Sequence, residues 1–162
     1  MEKSINKYEA LEKFYYFEKE YCYPVLTVTD KPQIKALTDH YCSQLWNEYV
    51  SETKHHLMLV NDLKDWKIKN EIKKEYNWQK DWNNNIIEAF EENIKPLLDW
   101  KDEDPVFFFW NKFSGIETTW SLICKYWISF LYEDEANILV SPKSKNVIIL
   151  SVNGNLTIAE RE

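Results

Sequence analysis

The side chains that could bind a metal ion in this sequence are His40, Cys42, His55 and His56. Zinc takes about four nitrogen or sulfur ligands in a tetrahedral array. Residues two apart on a helix point to different sides, and adjacent residues also diverge, so neither pair converges on one ion. We therefore expect no metal and no cofactor, and predict that the purified protein holds no stoichiometric zinc.

Carboxylates form two dense runs, and paired carboxylates can perform acid–base chemistry. Glycoside hydrolysis requires two carboxyl groups in a cleft, with one of them desolvated. Both runs lie in predicted solvent-exposed loops that flank buried elements, which favours partner recognition over catalysis. Glu117 is another candidate acid or base, but the sequence Ser114–Glu117 matches a helix capping box that accounts for it. We predict no catalytic residues and a partner-binding surface made of Asp102, Glu103, Asp104, Glu133, Asp134 and Glu135.

The charge of the chain is unevenly distributed. Residues 1–80 carry 13 lysines and 13 carboxylates, whereas residues 81–162 carry 7 basic and 14 acidic groups, which gives the whole net charge of −7. A field of this sign repels nucleic acid and anionic membranes and attracts basic proteins. The alternative is that moderate acidity only keeps the protein soluble, so the charge by itself does not identify a partner.

The compartment is predicted from the N-terminus and the cysteines. Residues 1–7 lack the apolar core of a secretory signal, and no run approaches the roughly 20 apolar residues that span a bilayer. The odd number of cysteines, three, lacks the spacing of a disulfide framework and indicates reduced thiols. We expect a single cytoplasmic domain over residues 1–162 that contacts neither membrane nor nucleic acid.

Aromatic residues dominate the apolar content: eight tryptophans, ten tyrosines and eight phenylalanines. Such side chains bury the largest apolar area per residue, so a dense core is the first interpretation. A cleft lined by tryptophans that binds a small ligand is the alternative. Trp66, Trp78, Trp82 and Trp100 lie in the more polar surroundings and are its candidates.

The first half of the chain predicts mostly helices. Asp30-Lys31-Pro32-Gln33 has a capping carboxylate and an early proline, and an apolar stripe follows it to about Val50. Asp65 can cap a second helix, which continues through Tyr76. Apolar residues four apart from Trp82 to Ile94 predict a third helix that ends at Pro96.

The second half predicts a β-α-β-β-β order. Pro105–Trp110 has no polar alternation, which indicates a strand buried on both faces. The capping box at Ser114 predicts a nearly all-buried helix to about Leu131, with Cys124 in its core. Strands at 137–140, 146–152 and 155–159 follow, the last two joined by an Asn153-Gly154 turn. The predicted fold is therefore α+β, a mostly helical N-terminal half followed by a buried helix packed on an antiparallel sheet.

Four short stretches resemble a Trp-rich family of small bacterial proteins of uncharacterised function. They are Leu45–Ser51, Pro105–Phe108, Glu117–Trp120 and Ser151–Gly154, and the likeness runs from about residue 30 to the C-terminus. The resemblance supplies no catalytic residues. In general style the chain is also similar to immunity proteins of bacterial toxin systems, which are small, acidic, cytosolic α+β domains that occlude a cognate toxin.

The leading hypothesis is a binding protein, most concretely an immunity protein for a basic toxin domain. The competing hypothesis is a small-ligand-binding protein or enzyme with a tryptophan-lined cleft, and a third is a housekeeping interaction module. An immunity gene is expected directly downstream of a toxin-bearing gene, which distinguishes the first hypothesis from the others. The sequence does not identify the toxin or the oligomeric state.

Overall fold

The structure is α+β and centres on one antiparallel sheet. The computed structural model describes residues 6–14, 17–18, 22–55, 67–131, 136–151 and 154–161, and the backbone alone for residues 69–75. Within those residues the order of eight strands across the sheet is β1-β2-β5-β4-β6-β7-β8-β3. In chain order the strands are β1 Tyr8–Glu9, β2 Lys35–Leu37, β3 Ile68–Asn77, β4 Pro105–Asn111, β5 Ser114–Thr119, β6 Asn137–Val140, β7 Asn146–Leu150 and β8 Asn155–Arg161.

Helical segments cover both faces of this sheet. They are α1 Asp39–Tyr49, α2 Trp78–Asn83, a π-helix Phe90–Ile94 and α3 Trp120–Phe130, with single 3₁₀ turns at Leu11–Lys13, Lys31–Gln33 and Lys95–Leu97.

The central strand β4 separates two hydrophobic cores. Val106, Phe108 and Trp110 belong to the core that contains α3, whereas Phe107 and Phe109 belong to the core that contains α1. This division follows from the period-two alternation of a strand. The prediction that Pro105–Trp110 is a strand buried on both faces is confirmed, since 106–110 are all buried.

Helix α3 is buried on nearly all sides, as predicted. Nine of its eleven residues are buried, and Cys124 is 3% exposed. Trp127 donates its indole N–H to the Ile87 carbonyl at 2.9 Å, and Trp110 donates to the Phe130 carbonyl at 2.8 Å. These two bonds connect α3 to strand β4 of the sheet and to the segment at Ile87.

The predicted helical N-terminal half is wrong. The chain at Lys31–Gln33 makes one 3₁₀ turn and then enters β2, and α1 begins later, with the Thr38 hydroxyl accepting from the Tyr41 amide at 3.3 Å. The predicted second helix is instead β3, which pairs with β8. Pairing with a strand about 80 residues distant outweighs the helix propensity of its Lys- and Glu-rich sequence.

The predicted third helix is also wrong, because the chain breaks it into short pieces. Helix α2 ends at Asn83, and Asn85 adopts a positive φ of 55°. The π-helix and one 3₁₀ turn then complete the segment. The four-residue spacing from Trp82 to Ile94 therefore does not represent one continuous helix.

The predicted β-α-β-β-β order is wrong at one element, since Ser114–Thr119 forms strand β5 and not the first turn of a helix. The strand lies between β4 and β2. A Cβ at Gly115 would meet the Phe108 carbonyl oxygen at 2.9 Å, so only glycine permits this close approach. The three closing strands are confirmed, with Gly154 at a φ of 87°; Asn153 lies outside the described residues.

Candidate functional site

The first acidic run lies in a loop that is fixed to the ends of β4 and α3. Asp104 is 6% exposed, and its Oδ2 accepts from the backbone N–H of Lys101 at 2.9 Å. Its backbone carbonyl accepts from the Trp120 amide at 3.0 Å. Lys143 Nζ lies 3.9 Å from Asp104 Oδ1. Asp104 therefore holds the loop in shape, and its carboxylate faces inward.

Asp102 is exposed but neutralised by a neighbour. Lys95 Nζ lies 2.5 Å from Asp102 Oδ1 and 2.9 Å from Glu91 Oε1. Hydrogen bonds to these two carboxylates raise the pKa of Lys95 above its usual range. The backbone carbonyl of Asp102 also accepts from the Ser121 amide at 3.0 Å. Its side chain is thus less available to a partner than the sequence predicts.

Glu103 is the exposed carboxylate of this loop that faces a cleft. The cleft has a volume of about 260 Å³. It lies between the 3₁₀ turn at Lys31–Gln33, the Glu103 loop and strands β2, β4 and β5. Its walls are formed by Pro32, Gln33, Lys35, Glu103, Pro105, Glu117, Thr118 and Thr119.

The sheet itself positions the cleft residues. Glu117 lies opposite Lys35 on one side and Phe107 on the other, and Pro105 lies opposite Thr119. Residues opposite one another, or two apart along a strand, share a face. These cleft side chains therefore lie on the α1 face of the sheet, where Tyr49 stacks on Phe107 with ring centroids 6.0 Å apart.

Tyr8 fixes the side chain of Glu117. The Tyr8 hydroxyl donates to both carboxylate oxygens, at 3.1 and 3.2 Å. Burial, and after it the charge of Glu117, raises the pKa of Tyr8 to about 12, so the phenol stays a neutral donor. A carboxylate has about four acceptor positions, and the geometry leaves Glu117 with capacity for another donor.

Lys35 is directed toward an aromatic ring. Its Nζ lies 5.0 Å from the centroid of the Tyr8 ring, a distance typical of a cation–π contact. Among the described residues Lys35 forms no ion pair with Glu117 or Glu103. Within the part of the chain that the structure describes, no ion pair joins Glu117 or Glu103 to a lysine or arginine.

The second acidic run, Glu133, Asp134 and Glu135, lies outside the described residues, so the structure does not place it. The candidate metal ligands are dispersed where they are described: His40 is exposed on α1, and Cys42 is fully buried beneath it. His56 lies outside the described residues. The described part of the chain brings no three His, Cys, Asp or Glu side chains together as a metal site, and the zinc content stays a prediction.

The tryptophans contribute mainly to the cores. Six of them are at most 4% exposed, Trp82 is half-buried, and Trp66 lies outside the described residues. Their burial agrees with the core interpretation. The cleft beside Glu103 is lined by none of them.

The acidic run in the sequence predicts Glu103 but not the residues that accompany it at the cleft. The capping-box match assigns Glu117 to a helix N-terminus, and no sequence pattern indicates Tyr8 or Lys35. Strand β5 buries Gly115, Ile116 and Thr118, whereas Glu117 and Thr119 are only partly buried. The β-branched residues Ile116, Thr118 and Thr119 are the sequence signal for this strand, and the capping-box match competes with it.

Comparison with protein families gives one assignment. A family model described as "Protein of unknown function (DUF2947)" matches residues 7–159. The chain belongs to this family. Comparisons with curated proteins and with solved structures give no match. The expected membership of a family of uncharacterised function is thereby confirmed, and the match extends further toward the N-terminus than the four short stretches indicated.

In the described portion of the molecule, no helix combines the length and the apolar character required to traverse a lipid bilayer. The longest α-helices there, α1 and α3, have 11 residues each.

Proposed function

We propose that this DUF2947 protein is a cytoplasmic immunity protein of bacterial origin, which binds a basic toxin domain and occludes it. The observation that carries this proposal is the fixed loop at Asp102–Asp104, which presents Glu103 beside Glu117 at the cleft. The contacts that hold Asp104 and Glu117 in place operate without a partner. A partner would therefore meet an oriented Glu117 carboxylate and, beside it, Glu103 on a loop of fixed shape.

Rigidity supports a role in binding, because ordering a loop on association costs free energy. The loop is secured by backbone hydrogen bonds from Trp120 and Ser121 at 3.0 Å each. These donors belong to the first turn of α3, which is buried in the core. A surface supported in this way loses little conformational freedom when it binds.

Charge supports a basic partner. The excess of seven carboxylates lies in residues 81–162, which include Glu103 and Glu117. Opposite charge between partners accelerates association and makes it sensitive to salt, while the affinity depends on the contacts. We expect the association rate with the toxin to fall steeply between low and physiological ionic strength.

An immunity gene is expected directly downstream of a toxin-bearing gene, and binding to the toxin domain of that upstream gene tests the proposal. The purified chain is titrated with that domain, and toxin activity is measured in the same mixtures. We expect a 1:1 complex in which activity is lost. Glu103→Gln is expected to slow association several-fold at low salt, whereas Glu92→Gln, an exposed carboxylate outside the cleft lining, is a matched control. A toxin that stays unbound and active in excess of this chain contradicts the proposal and favours the small-ligand alternative.

A further inference from the structure

The size of the cleft beside Glu103 limits what it can accept. Its volume of about 260 Å³ is below the roughly 300–1,000 Å³ typical of sites for drug-sized ligands. Strands β2, β4 and β5 form its floor, and the ladder between β4 and β5 extends from Pro105 to Asn111. A cavity of this size on a rigid floor suits one extended side chain better than a cofactor or an oligomer.

The charged groups around the cleft favour a cation. Glu103 and Glu117 contribute two negative charges, and Lys35 contributes one positive charge that is directed to the Tyr8 ring. The Tyr8 hydroxyl donates to both oxygens of Glu117 and so orients that carboxylate. An anionic ligand would meet two carboxylates against one ammonium.

The uncharged walls match the stem of a long basic side chain. Pro32 and Pro105 line the cleft and lack an N–H, so they offer apolar ring surface and no backbone donor for an anion. Lysine and arginine side chains place their methylene stems along apolar surface while the charged end stays polar. Thr119 adds a hydroxyl oxygen that can accept from a guanidinium or ammonium group.

We propose that the cleft receives a single arginine or lysine side chain of the basic partner, with Glu103 and Glu117 as its acceptors. This inference rests on the proposed function and specifies the contact that the partner makes. The two carboxylates and the proline walls define a socket for that side chain. Lys35 is the like charge at its edge, and it limits the affinity for any cation.

Substitution of Lys35 distinguishes binding of a cation in the cleft from binding of an anion there. If the cleft binds a cation, Lys35→Gln removes a repulsive charge and tightens binding. If the cleft binds an anion, the same substitution removes the attractive charge and weakens binding. The direction of this effect therefore identifies the sign of the ligand.

The test uses defined probes and does not require the toxin. Acetyl-arginine amide is titrated into the full chain at low ionic strength, with backbone NMR shifts as the readout, and acetyl-citrulline amide is the uncharged probe of similar shape. We expect saturable shifts centred on 32–35, 103–105 and 117–119 with the arginine probe, and binding at least about five-fold weaker with citrulline. Glu103→Gln and Glu117→Gln are each expected to weaken arginine binding about three-fold, and Lys35→Gln to tighten it by a similar factor.

The control is Glu92→Gln, which is expected to leave the dissociation constant unchanged. Glu103 is exposed, so its variant keeps the test valid if Glu117→Gln fails to fold. Equal binding of arginine and citrulline, shifts centred elsewhere, or weaker binding in Lys35→Gln overturns the socket.

Toxin binding distinguishes a failure of the socket proposal from a failure of the proposed function. A toxin complex with unchanged affinity in the Glu103→Gln, Glu117→Gln double variant would keep the function and reject the socket. Arginine binding at the cleft without a toxin complex would keep the socket and reject the function.

Discussion

Substitution of Asp104 is expected to destabilise the fold, whereas substitution of its neighbour Glu103 is expected to have little effect. Asp104→Ala removes a buried acceptor from the Lys101 amide, and a hydrogen bond to a charged group contributes about 1.5–3 kcal/mol. The ion pair with Lys143 adds little, because the lysine side chain is 64% exposed and the distance is 3.9 Å. We therefore expect Asp104→Ala to lower the free energy of unfolding by about 2 kcal/mol.

Urea unfolding measures this effect. With a slope of about 2 kcal/mol per molar urea, the expected midpoint shift for Asp104→Ala is about 1 M. Asp104→Asn is expected to lose about half as much, because its amide oxygen still accepts from Lys101. Glu103→Ala is the matched control, with a change within about 0.5 kcal/mol. Equal midpoints for Asp104→Ala and Glu103→Ala would refute the structural role of Asp104.

Three further substitutions test the core and the N-terminal segment. Cys124→Asp is expected to cost several kcal/mol, since it places a charge without a partner in the buried helix α3, and an unchanged melting temperature would contradict the central place of that helix. Gly115→Ala is expected to cost about 1–3 kcal/mol in urea unfolding, because its Cβ would lie 2.9 Å from the Phe108 carbonyl oxygen, and an unshifted midpoint would show that β4 and β5 separate easily. Hydrogen bonds from Lys125 and then Tyr126 lower the pKa of Asp30 below its ordinary value of 3.8. The stabilisation by the Asp30 carboxylate is therefore complete above that value and is lost as the pH falls through the lowered pKa. We expect Asp30→Asn to lower the free energy of unfolding by a constant amount near neutral pH, and by less below about pH 4. A loss of stability that does not change with pH would contradict this.

Local sequence patterns were sufficient to predict an element when its own residues, or those of its sequence neighbours, determine its conformation. Strand β4 is apolar without alternation, and a strand buried on both faces requires that pattern. Helix α3 has apolar residues on nearly every side, and its burial follows. The closing strands are short β-branched runs that pair with their sequence neighbours, so their hairpins are local.

Two elements were misassigned for different reasons. Strand β3 has a Lys- and Glu-rich sequence that favours a helix, but it pairs with the distant strand β8, and no local pattern reports the position of that partner. Strand β5 pairs with its sequence neighbour β4 and with the distant β2. Its sequence matches a capping box, and that match favours a helix start over the strand.

The candidate site was predictable only in part. The acidic run was visible in the sequence, but the burial of Asp104 and the pairing of Asp102 with Lys95 depend on packing. Glu117 joins Glu103 because β4 and β5 form a hairpin, and Tyr8 reaches Glu117 across 109 residues of sequence. The cleft is therefore a product of the sheet topology.

The proposed immunity function is tested most directly by the association rate of this chain with the toxin domain expected from the gene directly upstream, measured by stopped flow over a range of ionic strength. An immunity protein with this cleft is expected to form an inhibited 1:1 complex, with an association rate that falls as salt rises and falls several-fold in Glu103→Gln but not in Glu92→Gln. Absence of a complex, or a rate that is independent of salt and equal in both variants, would contradict it.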